Sequence, residues 1–452
     1  MPPTERRTAF LIGICGAGMK ALAEYLSDQG WLISGSDAAP DIHTLRLLQS
    51  RGITVQPGHA ARHITPDLTA VISSPAIPPG NCERVAAREL GLPDLSSIEV
   101  LAELTRRRQT VAIAGTHGKS STTAMLGSML QHAGRSPSVL CGAELRDRQR
   151  NGWSGTGRSL VVEACEFRRH FLQLAPHTAC ILSIEADHVD CYPDLHSAQA
   201  AYGAFARNAT ETLVVPDALR ILDQAGRPDI RRLTFGVETP QADWSGEHLQ
   251  PDGQGITFQL HHQGKPIGPV RLQVPGRHNV HNAVASAALG HAQGLSTDEI
   301  RAGLEAFTGL KRRFEFLPDR NGAIVIDDYA HHPTEIQAAI ATARECFPDR
   351  RLICVFQSHQ ISRTRALLPE FARALSQADQ LYVLPIFAAR ETSQGLEVTL
   401  AQELLRSVTC PAGWIPSLDR VWGTVETDAG NDAVILTLGA GNISRVHHEL
   451  ID

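Results

Sequence analysis

The chain has 452 residues, 42% of them hydrophobic and 20% charged. That composition supports several apolar cores, and domains of about 100–200 residues make three the natural count. Net charge is −6 with no long basic block, which argues against a nucleic-acid partner, because phosphate-backbone affinity needs clustered Lys and Arg.

Residues 9–12 (Ala-Phe-Leu-Ile) read as a buried strand. A glycine-rich turn follows, Gly13-Ile14-Cys15-Gly16-Ala17-Gly18-Met19, and then a helical pattern through Leu26. A second strand over 32–35 ends at Ser36-Asp37, so the segment is a βαβ unit on a parallel sheet. A dinucleotide fingerprint asks for G-x-G-x-x-G with an acid about 20 residues on. Cys15 takes the place of the second glycine, and Asp37 stands where it could contact a ribose. On its residues alone the turn fits an NAD site, a UDP site or a plain structural turn. Residues 71–74, with Ser73, read as a later strand of the same sheet, and the unit fades near Thr105.

A second segment opens with the strand 110–114, the loop Gly115-Thr116-His117-Gly118-Lys119-Ser120-Ser121 and a helix through Leu130. Such a loop between strand and helix aims backbone N–H groups at phosphates. Lys119 can reach β- and γ-phosphates, and the Ser120 hydroxyl can ligate Mg²⁺. The strict G-x-x-x-x-G-K-[ST] pattern is not met, because its first glycine falls on Ile113; a structural turn is the alternative. Strands over 160–163 and 178–183 continue the sheet. From about Leu213 to Val274 short alternating runs with Pro and Gly predict antiparallel strands, and a helix over 279–294 restores the α/β pattern. The third segment begins after Gly309, with strands at 323–326, 352–356, 380–384 and 434–438 separated by helical stretches, a further doubly wound unit.

The nine cysteines form no C-x-x-C pair; an odd number at irregular spacing predicts free thiols in a reducing compartment. The run 9–14 is too short for a signal-peptide core, and no stretch of about 18–20 apolar residues occurs, so a cytoplasmic protein is expected.

The form Gly115-Thr116-His117-Gly118-Lys119-Ser120 resembles the ATP loop of the Mur ligases and of folylpolyglutamate synthetase. Agreement continues in order along the chain. Glu163-Ala164-Cys165-Glu166-Phe167 resembles the family's acidic motif, and Asp187-His188-Val189-Asp190 its D-H-x-D. Gly276-Arg277-His278-Asn279-Val280-His281-Asn282 resembles G-x-H-N-x-x-N, and Gly309 to Glu315 resembles G-x-x-x-R-x-E. Asp327-Asp328-Tyr329-Ala330-His331-His332-Pro333 matches the D-D-[YF]-[AG]-H-H-P of the muramate-specific branch. That branch lacks the carbamylated lysine of the later-acting ligases, and residues 197–208 contain no lysine.

The resemblance implies three α/β domains with mostly parallel, doubly wound sheets. Residues 1–107 form a Rossmann-like domain for a UDP-linked substrate. Residues 108–309 form a P-loop domain with added antiparallel strands, for ATP, and residues 310–452 a Rossmann-like domain for an amino acid. It implies ligation of L-alanine to the carboxylate of UDP-N-acetylmuramate through an acyl phosphate, with ATP and Mg²⁺ required, in a monomer or homodimer with no nucleic-acid or membrane partner. Carboxylate and triphosphate repel each other, so cations must bridge them. By the resemblance, Ser120, Glu163 and His188 are the metal ligands. Lys119 stabilises the migrating phosphoryl group, and His332 joins Lys119, Glu163 and His188 as catalytic. Gly115 to Ser121, with Asn282, Arg313 and Asp328, hold ATP. Gly13, Gly16, Ala17, Gly18, Met19, Ser36, Asp37 and Ser73 hold the UDP substrate, and Tyr329, His359 and Arg363 the amino acid.

Two clues point to different amine donors. Cys15 stands where the recycling ligase for murein tripeptide commonly has it, which keeps that enzyme as the alternative. Phe356-Gln357-Ser358-His359-Gln360-Ile361-Ser362-Arg363-Thr364-Arg365 resembles the motif of the L-alanine-adding members, with Ser358 in place of the usual proline and Gln360 at a position that is arginine in some. An arginine such as Arg363 can grip a free carboxylate as a fork; a surface basic cluster is the bland alternative. A non-catalytic UDP-muramate-binding homologue would be expected to lose Lys119, Glu163 or His188, and all three are present.

Overall fold

A computed structural model describes residues 7–185, 191–192, 194–222, 227–389, 391–392 and 395–447. Its strands form three sheets, and the chain divides into two compact units. One comprises residues 1–247, 260–268 and 282–308, the other residues 248–259, 269–281 and 309–452.

The first sheet is built from β1 (Thr8–Ile12), β2 (Leu32–Asp37), β3 (Thr54–Pro57), β4 (Ala70–Ser73) and β5 (Asp94–Ser96), with α1 (Ala17–Asp28), α2 (Ile42–Gln49), α3 (Cys82–Glu89) and α4 (Ser97–Arg107) between and after them. Its order is β3-β2-β1-β4-β5 and every pairing is parallel. Buried on both faces, β1 and β4 are continuous apolar runs rather than alternating ones. The chain crosses from one side of β1 to the other before β4, so a crevice opens at the carboxyl ends of these strands. Helix starts are chemically marked. The Asp41 side chain accepts from Thr44 N–H, and Ser96 and Glu99 form a reciprocal capping box on α4.

The second sheet has ten strands: β6 (Gln109–Ala114), β7 (Ser138–Leu145), β8 (Arg150–Trp153), β9 (Ser159–Glu163), β10 (Thr178–Ile181), β11 (Thr212–Pro216), β12 (Arg231–Val237), β13 (Trp244–Pro251), β14 (Ile256–His262) and β15 (Lys265–Leu272). Its order is β15-β14-β13-β12-β11-β10-β6-β9-β7-β8. The helices are α5 (Lys119–His132), α6 (Leu195–Ala206), α7 (Arg277–Ala292) and α8 (Thr297–Glu305). The antiparallel region starts later than the alternation suggested, because β11 and β12 extend the parallel sheet. β12 also pairs parallel with β13, and β7 and β8 form an antiparallel hairpin at the other edge of the sheet.

Within the first unit, α1 lies on the β7–β8 hairpin. The residues Lys20, Glu24 and Asp28, spaced by four, share one face of α1. Lys20 Nζ donates to Glu144 Oε2 at 2.6 Å, and both side chains are buried. Glu24 accepts the N–H groups of Asn151 and Gly152, each at 2.9 Å. Asp28 accepts from Arg150 at 2.7 Å. The backbones meet so closely that a Cβ on Gly152 would stand 2.1 Å from the Ala21 carbonyl oxygen.

The third sheet contains β16 (Glu315–Arg320), β17 (Ala323–Asp328), β18 (Arg351–Phe356), β19 (Gln380–Val383), β20 (Ala412–Trp414) and β21 (Ala433–Leu438), in the order β16-β17-β21-β18-β19-β20. Only the β16–β17 pairing is antiparallel. The helices α9 (Pro333–Cys346), α10 (Ile361–Ala366), α11 (Leu368–Leu375), α12 (Leu396–Ser407) and α13 (Val421–Ala429) accompany it, with an apolar cluster on each face.

Candidate active site

The phosphate-type loop follows the buried strand β6. Gly115 and Gly118 have φ of 144° and 82°, values that L side chains rarely adopt. A Cβ on Gly118 would also lie 2.3 Å from Asn282 Oδ1, so Asn282, buried on α7, sits directly against the loop. The loop is tied to the strand beside it: Thr116 N–H donates to the Ser183 carbonyl at 3.0 Å, and His117 N–H to Ser183 Oγ at 3.0 Å. His117 Nε2 lies 3.3 Å from Glu185. Gly118 caps α5, whose first turn begins at Lys119 and directs its unpaired N–H groups toward the loop.

Lys119 Nζ donates to the carbonyls of Gly115 at 2.5 Å and Thr116 at 3.1 Å, and to Glu166 Oε1 at 2.9 Å. Burial opposes its charge, but the nearby Glu166 carboxylate, with Glu163 behind it, outweighs that and holds the ammonium above the ordinary lysine value. Ser120 Oγ donates to Glu163 Oε2 at 2.9 Å, and Gly142 N–H donates to the same oxygen at 2.7 Å. A Cβ at position 142 would come within 2.6 Å of that oxygen. Glycine at 142 is therefore what lets β7 hold the carboxylate at the loop. Ser121 follows in the first turn of α5, and the Asp187–Asp190 motif with His188 lies outside the described residues.

At the first sheet, Gly13 (φ 77°) begins the turn, and the N–H groups of Gly13 and Ile14 donate to the Ser36 carbonyl. Asp37 Oδ2 accepts Cys15 N–H at 3.0 Å. Burial, then the carboxylates of Asp37 and Asp41, push the Cys15 thiol up to about 12, which leaves it unreactive. Gly16 caps α1, Ala17 and Gly18 are exposed, and Met19 is buried beneath them. Ser36 is fully buried, and its hydroxyl donates to Glu83 Oε2 at 2.7 Å. Glu83 also holds His59 at 3.0 Å and His63 at 2.7 Å. Ser73 is buried and bonded to the Leu95 carbonyl at 3.3 Å. Ser36 and Ser73 are thus both buried near the carboxyl ends of β2 and β4.

In the second unit, β17 ends at Asp328, whose carboxylate accepts the N–H groups of Phe314 and Ala330, both at 2.7 Å. Burial raises it to about 6, against the pull of Arg313. The guanidinium of Arg313 lies 5.1 Å from the Tyr329 ring centroid, with Arg312 over the same ring at 4.9 Å. His332 caps α9 in a reciprocal box with Glu335. His331 Nδ1 lies 3.0 Å from the Tyr329 carbonyl and 3.2 Å from Glu335. His359 stacks on Phe387 at 5.8 Å and meets His331 edge-on at 6.1 Å. Arg363, on α10, is buried, with 6% of its surface exposed, so it is not part of a surface basic cluster. Ser358 bonds Thr364 at 2.6 Å, and Gln360 takes φ 71° while its N–H donates to the Phe387 carbonyl at 2.9 Å.

The motifs did not assign roles to Glu83, Lys20, Glu144, Glu166 or Glu335. Glu335 carries a local signal, an acid three residues after a cap. Glu83 and Glu144 carry none, because Ser36, His59 and His63 are 47, 24 and 20 residues from Glu83 and Lys20 is 124 from Glu144.

Comparison with known proteins agrees with this geometry along the whole chain. Residues 10–109 match the Mur ligase family catalytic domain, residues 113–290 the Mur ligase middle domain, and residues 312–441 the Mur ligase glutamate ligase domain. The UDP-N-acetylmuramate–L-alanine ligase of Chlorobium phaeobacteroides is 37% identical over 461 aligned positions, covering 99% of this chain and 97% of that one. That of Salinibacter ruber is 36% identical, covering 99% and 94%. Among solved structures, the UDP-N-acetylmuramate–alanine ligase of Thermotoga maritima superposes with a TM-score of 0.84 at 27% identity, covering 98% of both chains. A murein peptide ligase from Psychrobacter arcticus gives 0.75 at 26%, with the same coverage. With its loop, acidic motif and three sheets matched in order over nearly its full length, the chain belongs to the Mur ligase family.

Proposed function

We propose that the protein joins L-alanine to the lactyl carboxylate of UDP-N-acetylmuramate, using ATP and releasing ADP and phosphate, in the cytoplasmic synthesis of peptidoglycan precursor. The observation that carries the choice of amine donor is the buried Arg363 on α10, near enough to His331 to act on it electrostatically. A buried guanidinium suits the carboxylate of a small free amino acid. Full-length similarity to ligases of that name supports the reading.

The chemistry assigns the loop its task. A carboxylate does not condense with an amine directly, because oxide is a poor leaving group. Its oxygen must first take a phosphoryl group, and the amine nitrogen then attacks the carbonyl carbon as phosphate departs. Lys119 neutralises charge on the moving phosphoryl group once it exchanges the loop carbonyls for phosphate oxygens. Ser120 and Glu163 offer two hard oxygens 2.9 Å apart, one of them oriented by Gly142 N–H. That donor set fits Mg²⁺, and Mg²⁺ when bound supplies the charge neutralisation that lets carboxylate and triphosphate approach. His188 is the family position for a second ion. The turn at Gly13–Met19, with Asp37, serves the UDP moiety, Asn282, Arg313 and Asp328 serve ATP, and Tyr329 with His359 lines the alanine pocket. Domain limits of 1–107, 108–309 and 310–452 and a monomer or homodimer belong to the same reading.

ADP release with UDP-N-acetylmuramate and a panel of donors at matched concentration tests it. L-Alanine should be preferred, and Arg363→Ala should raise KM for L-alanine about ten- to a hundredfold, the loss of one charge-assisted hydrogen bond, with little change for ATP. Preference for the tripeptide L-alanyl-γ-D-glutamyl-meso-diaminopimelate would favour the recycling ligase and make Cys15 the better clue.

A further inference from the structure

The sheet register breaks along β7 where that strand meets the phosphate-type loop. β7 pairs with β9 through Ser138, Val139 and Leu140, and with β8 at Val139, Leu140 and Leu145, the register shifting between Leu140 and Leu145. Residues 141–144 fall within that shift, an irregularity of the kind that bends a strand and re-aims its groups beside a site. Side-chain contacts seat the stretch. Cys141 Sγ donates to the Ser120 carbonyl at 3.4 Å, and Gly142 N–H donates to Glu163 Oε2 at 2.7 Å. Two residues on, Glu144 Oε2 accepts from Lys20 Nζ at 2.6 Å, with only 9% and 5% of the two side chains exposed. His43 Nε2 lies 3.5 Å from the other Glu144 oxygen.

Lys20 ties this stretch to the glycine-rich turn. It lies one turn into α1, and its backbone N–H donates to the carbonyl of the cap residue Gly16 at 2.8 Å. Further along the same helix, Glu24 takes the N–H groups of Asn151 and Gly152, and Asp28 takes that of Ser154 at 3.0 Å, so α1 cannot slip along the hairpin. From this arrangement we infer that Lys20 and Glu144 are positioning residues that couple the glycine-rich turn to the metal carboxylate. A ligand seated on the turn fixes α1, α1 fixes residues 141–144 through the buried ion pair, and Gly142 N–H fixes Glu163. The inference rests on the reading above of the turn as the seat of the UDP substrate and of Glu163 as a metal ligand. Its consequence is a linkage between two binding events. The UDP substrate strengthens binding of the Mg²⁺–nucleotide complex, and by thermodynamic reciprocity the nucleotide strengthens binding of the substrate. ATP then meets a fully seated carboxylate when the acceptor to be phosphorylated is present.

Lys20→Met with Glu144→Met removes the tie without stranding a buried charge. Asp28→Asn loosens α1 at its far end, away from residues 141–144. Calorimetric titration of each protein with β,γ-imido-ATP and Mg²⁺, in which the γ-phosphoryl group does not transfer, is run with and without UDP-N-acetylmuramate. In the wild type the UDP sugar should tighten nucleotide binding about fivefold or more, as couplings between sites typically do. In the double variant that tightening should vanish, while affinity for UDP-N-acetylmuramate alone stays near wild type. Asp28→Asn should keep the wild-type tightening. Glu144→Gln, which keeps the shape and weakens the tie, should show an intermediate value and carries the comparison if the double variant melts early. No tightening in the wild type, full tightening in both Glu144 variants, or equal loss in Asp28→Asn would each overturn the coupling. Failure of the wild type to bind UDP-N-acetylmuramate at all would instead remove the functional reading and the inference with it.

Discussion

At the residue scale, the loop shows how one side chain serves two states. Lys119 is folded onto the carbonyls of its own loop and onto Glu166, contacts that phosphate oxygens would replace. Glu163 is different, because its geometry is already set by Ser120 and Gly142. Glu163→Gln preserves shape and removes charge. Turnover should fall by a hundredfold or more, in keeping with the several kcal/mol that a metal ion's charge stabilisation is worth, and the Mg²⁺ requirement should rise. Calorimetric affinity for UDP-N-acetylmuramate should persist. Near-normal turnover at limiting Mg²⁺ would remove Glu163 from the metal site. Lys119, Ser120 and Glu163 were legible because loop and acidic motif are each local in sequence. Their mutual distances were not, since β6 and β9 become neighbours only when the sheet forms.

At the element scale, the contact between α1 and the β7–β8 hairpin joins the glycine-rich turn to the strand that carries Gly142. Glu144 is two residues from Gly142 and is held by Lys20 from α1, with His43 of α2 at 3.5 Å. A buried ion pair contributes little net stability over an apolar pair, yet removing one partner strands the other charge. Lys20→Met alone should therefore cost about 3–5 kcal/mol in urea unfolding, while Lys20→Met with Glu144→Met should recover most of it. Equal losses in the single and double variants would mean that no stranded charge is involved. The sequence assigned Lys20, Glu24 and Asp28 no role, because their partners on the hairpin lie more than 120 residues away.

At the scale of the whole molecule, the buried ionisable groups of the second unit predict a response to acid. Burial lowers His278, His281 and His331 from 6.5 to about 4. The unfolded chain then binds protons that the folded one refuses, and the stability these groups contribute is lost as pH falls from 6.5 toward 4. Asp328 has the opposite sign. Raised from 3.8 to about 6, it favours the folded state below 3.8 and loses that contribution as pH rises through 6. Three histidines against one carboxylate leave a net difference near two protons around pH 5, so unfolding free energy should drop by at most roughly 3 kcal/mol per pH unit there, and partial solvent contact at His278 and His281 reduces this. Urea midpoints between pH 7 and 4.5 measure it; His278→Asn should flatten the slope, and a midpoint independent of pH would overturn the account.

Apolar runs, glycine turns and ordered motifs in the sequence determined the three α/β sheets, the phosphate loop and the family, because each depends on neighbours a few residues apart. The continuation of the parallel sheet through β11 and β12, the burial of Ser36 and Ser73 and the pairing of Lys20 with Glu144 were decided only by tertiary structure. Each depends on which distant backbone group or carboxylate meets a given side chain once water has been excluded, and no local pattern encodes that meeting.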